Sequence, residues 1–385
     1  MKKSILLLAC TLCAAMTFAQ EAEAPAEAPA EAPKPWKVSG IVGLNANATG
    51  LWNWAAGGNN SVAGVAFGKL RLVYAENQLS WESNLDVEFG MSWVDQKYDK
   101  LQKTSDHLKF DTKFGWEFAT TWFLTASAAF QTQMATGRDY PGDGTVGAIH
   151  SMILAPSYTD ISVGIDWKKS VNGADFSLYL SPVAGRITTA YISDKNNKKY
   201  TKFMQDEGIY AADQTFRQTV QEAQGTWKYD DKNVKQYKNA IGELGLSFKG
   251  TVNYAYKDLK VATALTLFTP YKWDKVRMYE FDDGTGAANY TYSQMKEMQD
   301  NGVDVSNRTF LGYRDNNRRF GNFDVDWTVM VSYQFLKCLN VTLSTDLKYI
   351  NGLKIDGKPD DNGVVYAKER VQFMGVLGIG VGYSF

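Results

Sequence analysis

The chain has little cysteine, little histidine and little proline outside one short tract. It holds three cysteines in 385 residues, and Cys10 and Cys13 both lie near its start. Cys338 is the only other thiol, which excludes a disulfide framework and a thiolate metal site in the body of the chain. The histidines are His107 and His150. The formal net charge is −1, so no basic surplus points to nucleic acid. Beyond the N-terminal segment no apolar run approaches the roughly 18 residues that a spanning helix needs. Glycine, at 33 residues, and aromatics, at 14%, are abundant.

Met1-Lys2-Lys3 precedes an apolar run from Ile5 to Phe18, and Thr17-Phe18-Ala19 precedes Gln20. A positive start, a short apolar core and small residues in an A-x-A-like arrangement read as a secretory signal peptide over 1–19. A membrane anchor would need a longer run. A lipoprotein signal, with Leu7-Leu8-Ala9-Cys10 as its lipobox, would cut that run short. The chain is therefore expected to be exported. Residues 20–35 form an acidic Ala/Pro-rich linker in which proline at every fourth position blocks a helix and favours a solvated spacer. A partner-binding role for this linker is the alternative.

From Trp36 to Phe385 the dominant signal is alternation with period 2. In Gln78–Trp93 the odd positions include Leu79, Trp81, Leu85, Val87, Phe89, Met91 and Trp93. The even positions include Glu82, Asn84, Asp86 and Glu88. Such a segment has one greasy and one wet face, and at about 3.3 Å per residue it runs roughly 50 Å, longer than ordinary globular strands. The same pattern recurs at 38–50, 62–75, 105–118, 122–134, 155–168, 174–191, 239–256, 259–271, 321–335, 339–350 and 367–385, with an irregularity expected at Pro182. Twelve strands are predicted.

The connections sort by length. Short ones fall at Glu76-Asn77, 119–121, 169–173, Lys257-Asp258 and 336–338. Long ones fall at 51–61, 94–104, 135–154, 192–238, 272–320 and 351–366. Aromatics such as Trp36, Tyr74, Trp93, Phe118, Trp122, Trp167, Tyr271 and Tyr349 gather near strand ends. An even strand number, short turns on one side, long loops on the other and aromatic girdles are the marks of a transmembrane barrel. A soluble sandwich has no reason to sort its loops this way, and a lipocalin-like barrel would not carry so many charges outside. The fold class expected is all-β: an antiparallel up-and-down barrel of about twelve strands, with short periplasmic turns and long extracellular loops. It belongs in the outer membrane of a Gram-negative bacterium.

The final residues Leu377, Ile379, Val381, Tyr383 and Phe385 resemble the C-terminal signal that the barrel-assembly machinery reads in outer-membrane proteins. Three further stretches are Asn53–Ser61, Trp81–Asp86, and the pair Ile165–Lys168 with Leu180–Arg186. In that order they resemble a family of Bacteroidota-type exported barrel proteins labelled only as a domain of unknown function. The resemblance implies a fold and a location, and no activity.

No catalytic, cofactor or metal residues are assigned, and the chain is not expected to be an enzyme. His150 adjoins Ser151, but a hydrolase needs nucleophile, base and orienting group to converge, which neighbours in one loop do not achieve. Asp282-Asp283-Gly284, Asp360-Asp361-Asn362-Gly363 and 139–144 lack EF-hand spacing and read first as turns. The wet faces supply the candidate lumen lining: Lys69, Arg71, Glu82, Asp86, Glu88, Lys109, Asp111, Lys113, Glu117, Asp324 and Asp326, with Asp346 and Lys348. A turn at Glu76-Asn77 would pair Ala75 with Gln78 and set Arg71 directly opposite Glu82 as an ion pair. Short helices are expected in the long loops, one after an Asp213 N-cap and one over Tyr292–Gln299. Mixed charges of this kind can line a channel for small solutes or knit a plugged interior. The expected surroundings are outer-membrane lipid and, during biogenesis, the barrel-assembly machinery, with no nucleic acid. An extracellular or periplasmic partner at the long loops is the alternative to passage.

Overall fold

In a computed structural model, twelve long strands pair antiparallel with their sequence neighbours, and the last closes on the first. The structure describes residues 35–49, 59–273, 275–314, 318–336, 339–356 and 367–384. The expected leader, most of the linker, Asp360–Gly363 and Phe385 lie outside these residues, as does most of Asn53–Ser61. The barrel strands are β1 Trp36–Thr49, β2 Ser61–Glu76, β3 Leu79–Val94, β4 Leu101–Ala119, β5 Trp122–Thr132 and β6 Ser157–Val171. They continue as β7 Ala174–Thr189, β8 Ala240–Tyr256, β9 Leu259–Pro270, β10 Asp324–Leu336, β11 Leu339–Tyr349 and β12 Gln372–Ser384.

The period-2 pattern becomes two surfaces. On β3, Leu79, Trp81, Phe89 and Trp93 stand exposed. So do Phe110, Phe114 and Trp116 of β4, Ile161, Val163 and Ile165 of β6, Leu244 of β8, and Phe373 and Leu377 of β12. A continuous apolar belt of this extent has no place in water. Lipid accepts it, because closing the sheet satisfies every backbone donor and acceptor within the membrane. The molecule is a transmembrane up-and-down β-barrel. Trp36 packs on Tyr74 and Trp81 at the short-turn rim, with ring centroids 5.0 and 5.8 Å away.

The short turns are built by residues that tolerate positive φ. Asn172-Gly173 has φ of 50° and 81°, the two-residue hairpin that Asn-Gly favours. Asn77, at φ 54°, moves the β2–β3 turn from the expected Glu76-Asn77 to Asn77-Gln78. Glu76 therefore pairs with Leu79, and Arg71 faces Asn84 while Glu82 faces Val73. The direct pairing expected of Arg71 and Glu82 is thus corrected to a diagonal. Both remain on one face, with Arg71 Nε 3.0 Å from Glu82 Oε1. The last expected strand, 367–385, also divides: Ala367–Glu369 pairs with Lys354–Asp356 in the preceding loop, and β12 begins at Gln372.

Pro182 marks a bulge, as its poor fit to a ladder requires. The register slips between Val163 and Ile165 on one side and between Gly245 and Ser247 on the other. Ser181 Oγ donates to Val163 O at 2.8 Å and to Val183 O at 2.9 Å, fixing the kink. Here β7 swings so close to β6 that a side chain at Gly164 would collide with the Leu180 carbonyl.

Three long loops fold into ordered structure. Those after β5 and β7 share an apolar core of Ile149, Met152, Ile192, Met204, Phe216 and Val220, carried partly by α1 (Asp194–Asp206) and α2 (Phe216–Ala223). The loop after β9 makes a three-stranded sheet of Ala287–Thr291, Arg277–Asp282 and Thr309–Tyr313. Against it packs α3 (Tyr292–Asp300), around Phe281, Met295 and Val305. Thr291 and Gln294 form a capping box for α3. The N-cap of α2 is Thr215 and not Asp213, because Thr215 Oγ1 accepts from Gln218 N and so turns Phe216 and Val220 inward. Arg314 donates to Asp230 O at 2.8 Å and Asn233 to Gln294 Oε1 at 3.0 Å, joining the two largest loops.

Gly164→Ala is expected to abolish or sharply weaken folding, whereas Gly242→Ala, where a side chain meets nothing within 4 Å, is expected to be neutral. The fraction of protein running as the compact heat-modifiable form on gels, across a temperature series, checks both.

Candidate functional site: the barrel interior

Strand closure collects the wet faces into one lumen, where charges find partners across strands. Three assemblies result. At the long-loop end, Arg186 of β7 holds Asp160 through two hydrogen bonds, of 2.7 and 2.9 Å. It also donates to Asp324 of β10 at 2.7 Å. Arg318 reaches down from the loop after β9 and donates to Glu243 at 2.6 Å and Asp324 at 2.8 Å. The same guanidinium donates to Asn351 O at 2.6 Å, and Asn351 N donates to Asp324 at 2.8 Å. Burial works against the Arg318 charge, but Asp324 and Glu243 outweigh it and raise its pKa above the ordinary arginine value. Forked guanidinium–carboxylate bonds are the strong, geometrically defined kind, so this knot latches two long loops to the wall.

The middle assembly crosses the lumen. Lys109 of β4 lies 3.7 Å from Asp346 of β11. Four strands separate β4 from β11 one way round the barrel and six the other, so the contact spans the interior. Lys348 flanks it, at 3.4 Å from Asp346 and 4.0 Å from Asp326. Beside it, Asp86 meets Lys69 at 3.0 Å and His107 at 3.3 Å, and Glu88 accepts from Ser105.

Toward the short turns the two sides differ. On one side Arg71 meets Glu82, and Asn84 donates to Glu82 at 3.2 Å and Asp111 at 3.0 Å. On the other, Lys113 meets Asp166 at 3.3 Å, Ser177 donates to Asp166 at 2.6 Å, and Tyr179 donates to Ser162 at 2.9 Å. Glu117 accepts from the Thr121 backbone at 3.0 Å and so braces a turn.

The lumen is therefore unequal. Asp166, Thr125 and Ser181 have none of their surface open, and Tyr179 and Phe268 only 2%. Across the barrel, the side chains of Lys69, Arg71, Glu82 and Asp86 are 33, 41, 30 and 28% open. The wall through Thr125, Asp166, Ser181, Tyr179 and Phe268 is sealed, while Asp160 nearer the long loops stays 35% open; the wall along β1 to β3 is the more open one.

Several residues of this network escape simple alternation. Arg186 follows the Pro182 bulge, which shifts the phase of its strand, and Arg318 sits in a loop with no periodicity. Asp160 and Asp166 do fall on the wet face of their segment, and that alternation was the signal available for them. The histidines stay apart from a hydrolase arrangement: His150 Nδ1 lies 3.8 Å from Asp139, whereas Ser151 donates to Gln133 at 3.1 Å. Among the described residues no group of His, Cys, Asp or Glu is placed to hold a metal ion. Asp282 and Asp283 accept from Gly284 N and Thr285 N at 2.8 and 3.0 Å, as turn residues do. No helix among the described residues is long and apolar enough to cross a membrane.

Asp166→Asn is expected to destabilise the barrel by roughly 3 kcal/mol, since it leaves Lys113 buried and uncompensated. Arg71→Ala, on the open side, is expected to cost less than about 1 kcal/mol. Denaturant titration of the folded barrel followed by tryptophan fluorescence compares them.

Comparison with solved structures returns outer-membrane barrels. An outer membrane channel from Pseudomonas putida F1 is 11% identical, with 94% of this chain and 100% of that one covered and a TM-score of 0.32. The translocator domain of the autotransporter NalP from Neisseria meningitidis is 9% identical, covering 93% and 90%, with a TM-score of 0.31. Likeness at this level adds nothing to what the strand pairing already shows. No curated protein matches the chain. Residues 46–137, from the end of β1 to just beyond β5, match the family model described as Protein of unknown function (DUF3078), which takes in Trp81–Asp86 but stops short of Ile165–Lys168.

Proposed function

We propose that the protein is an outer-membrane channel for small solutes, with its passage along the β1–β3 side of the lumen. The observation that carries this reading is the split interior. A barrel serving only as a rigid plug has no need to leave Lys69, Arg71, Glu82 and Asp86 open while packing Asp166, Ser181 and Tyr179 on the opposite wall out of contact with water. Mixed charge along one wall gives a weakly selective path. The Lys109–Asp346 bar narrows the path, and the Arg318 latch holds the loops over its mouth. In this reading the N-terminal segment directs export. Leu377, Ile379, Val381, Tyr383 and Phe385 serve assembly, and the outer wall meets outer-membrane lipid of a Gram-negative cell.

A second reading has its own support. The long loops carry two apolar cores of their own, which passage alone does not require, and an ordered surface of that kind suits a partner.

Planar-bilayer recording of the purified barrel decides between the two. Small, infrequent openings are expected from the native protein, larger ones from Lys109→Ala, and more frequent ones from Arg318→Ala. Silence at every voltage in all three would remove the channel and leave the partner reading.

A further inference from the structure

The outer surface carries a second assembly that the lumen does not explain. Tyr271, Trp273 and Phe320 stack where β9 gives way to its loop, with Trp273 and Tyr271 ring centroids 4.4 and 6.0 Å from Phe320. Tyr271 donates its hydroxyl to Pro182 O at 2.7 Å and its backbone N–H to Leu244 O at 2.7 Å. Val183 and Leu244 are among the most exposed aliphatics of the lipid-facing wall. The stack therefore lies at the long-loop rim of the membrane, where amphipathic rings settle at headgroup depth.

A girdle explains the rings but not the cations beside them. Lys275 Nζ lies 5.2 Å and Arg319 Cζ 5.3 Å from the centroid of the same ring, that of Tyr313. Lys275 follows Trp273 by two residues and Arg319 immediately precedes Phe320, so both charges are tied to the stack. Neither meets a carboxylate within ion-pair distance among the described residues, in contrast to the adjacent Arg318 with its two. Burial pushes the Tyr313 phenol up, but the two cations more than reverse this and lower it. Two like charges converging on one ring, beside an exposed aromatic stack and above an aliphatic wall, present the complement of a lipid with an anionic head and apolar tails.

We propose that Lys275 and Arg319, beside Tyr313, hold the phosphate of an anionic lipid in the outer leaflet, with its acyl chains lying along Trp273 and Phe320. This site depends on the barrel's place in the membrane and not on whether its lumen conducts.

Native mass spectrometry of the detergent-purified full-length barrel, titrated with bis-phosphorylated lipid A, phosphatidylcholine or inorganic phosphate, tests it. The expected result is retention of lipid A in preference to phosphatidylcholine, with no displacement by inorganic phosphate. Lys275→Ala and Arg319→Ala should each weaken retention roughly five-fold and the pair together roughly twenty-fold. The charge-preserving pair Lys275→Arg with Arg319→Lys should keep it. Equal retention of phosphatidylcholine by the native barrel, displacement by inorganic phosphate, or unchanged retention in the double alanine variant would each overturn the proposal. The first two comparisons need no variant, so a substitution that fails to fold leaves the test intact.

Discussion

The structure depends on one constraint: a backbone in lipid must satisfy every N–H and C=O from within. Twelve antiparallel strands closed on themselves do this. Once closed, period-2 alternation leaves each side chain one of two destinations, lipid or lumen. Where the strands carry charge into the packed part of the lumen, around Asp166 and Asp324, an unpartnered charge is costly. The lattice from Arg186 through Lys109 to Arg71 is the consequence, and its partners come from strands far apart in sequence because closure brings them face to face.

Within that frame, local breaks in regularity create the asymmetry. The Pro182 bulge draws β7 against β6, with Gly164 making room, and turns Ser181 and Tyr179 into a packed wall. No comparable bulge interrupts β1 to β2, where the register runs unbroken from Trp36↔Tyr74 to Thr49↔Ser61. The packed wall around Ser181 and Tyr179 thus lies where the sequence places a proline. The long loops add a second level of control, since Arg318 and Asn351 both converge on Asp324 and tie the cap to the wall.

Much of this was legible in the residues. The alternation in Gln78–Trp93 located β3 almost to the residue, and the sorting of connections by length gave the barrel its two ends. That one of the charged pairs forms diagonally was not legible, because it turns on whether Glu76 or Asn77 adopts positive φ. Helix α1 also escaped notice: in DKNNKKYTKFMQD only Met204 is fully buried, so no apolar stripe announces it. Partners such as Arg318, lying in a loop without periodicity, are fixed by tertiary geometry alone. The same limit hid the asymmetry of the lumen, for Asp86 and Asp166 look alike in sequence and differ only in what the folded wall packs around them.

Lys69 on the β1–β3 wall is open, whereas Ser162, beside Asp166 and Tyr179, is buried. Single cysteines placed at Lys69 and at Ser162, in a barrel carrying Cys338→Ser and lacking residues 1–19, and exposed in the folded state to a small hydrophilic thiol reagent, measure this directly. Rapid labelling at position 69 and protection at position 162 until the barrel is unfolded is the predicted result. Comparable labelling at both positions, or protection at both, would contradict it.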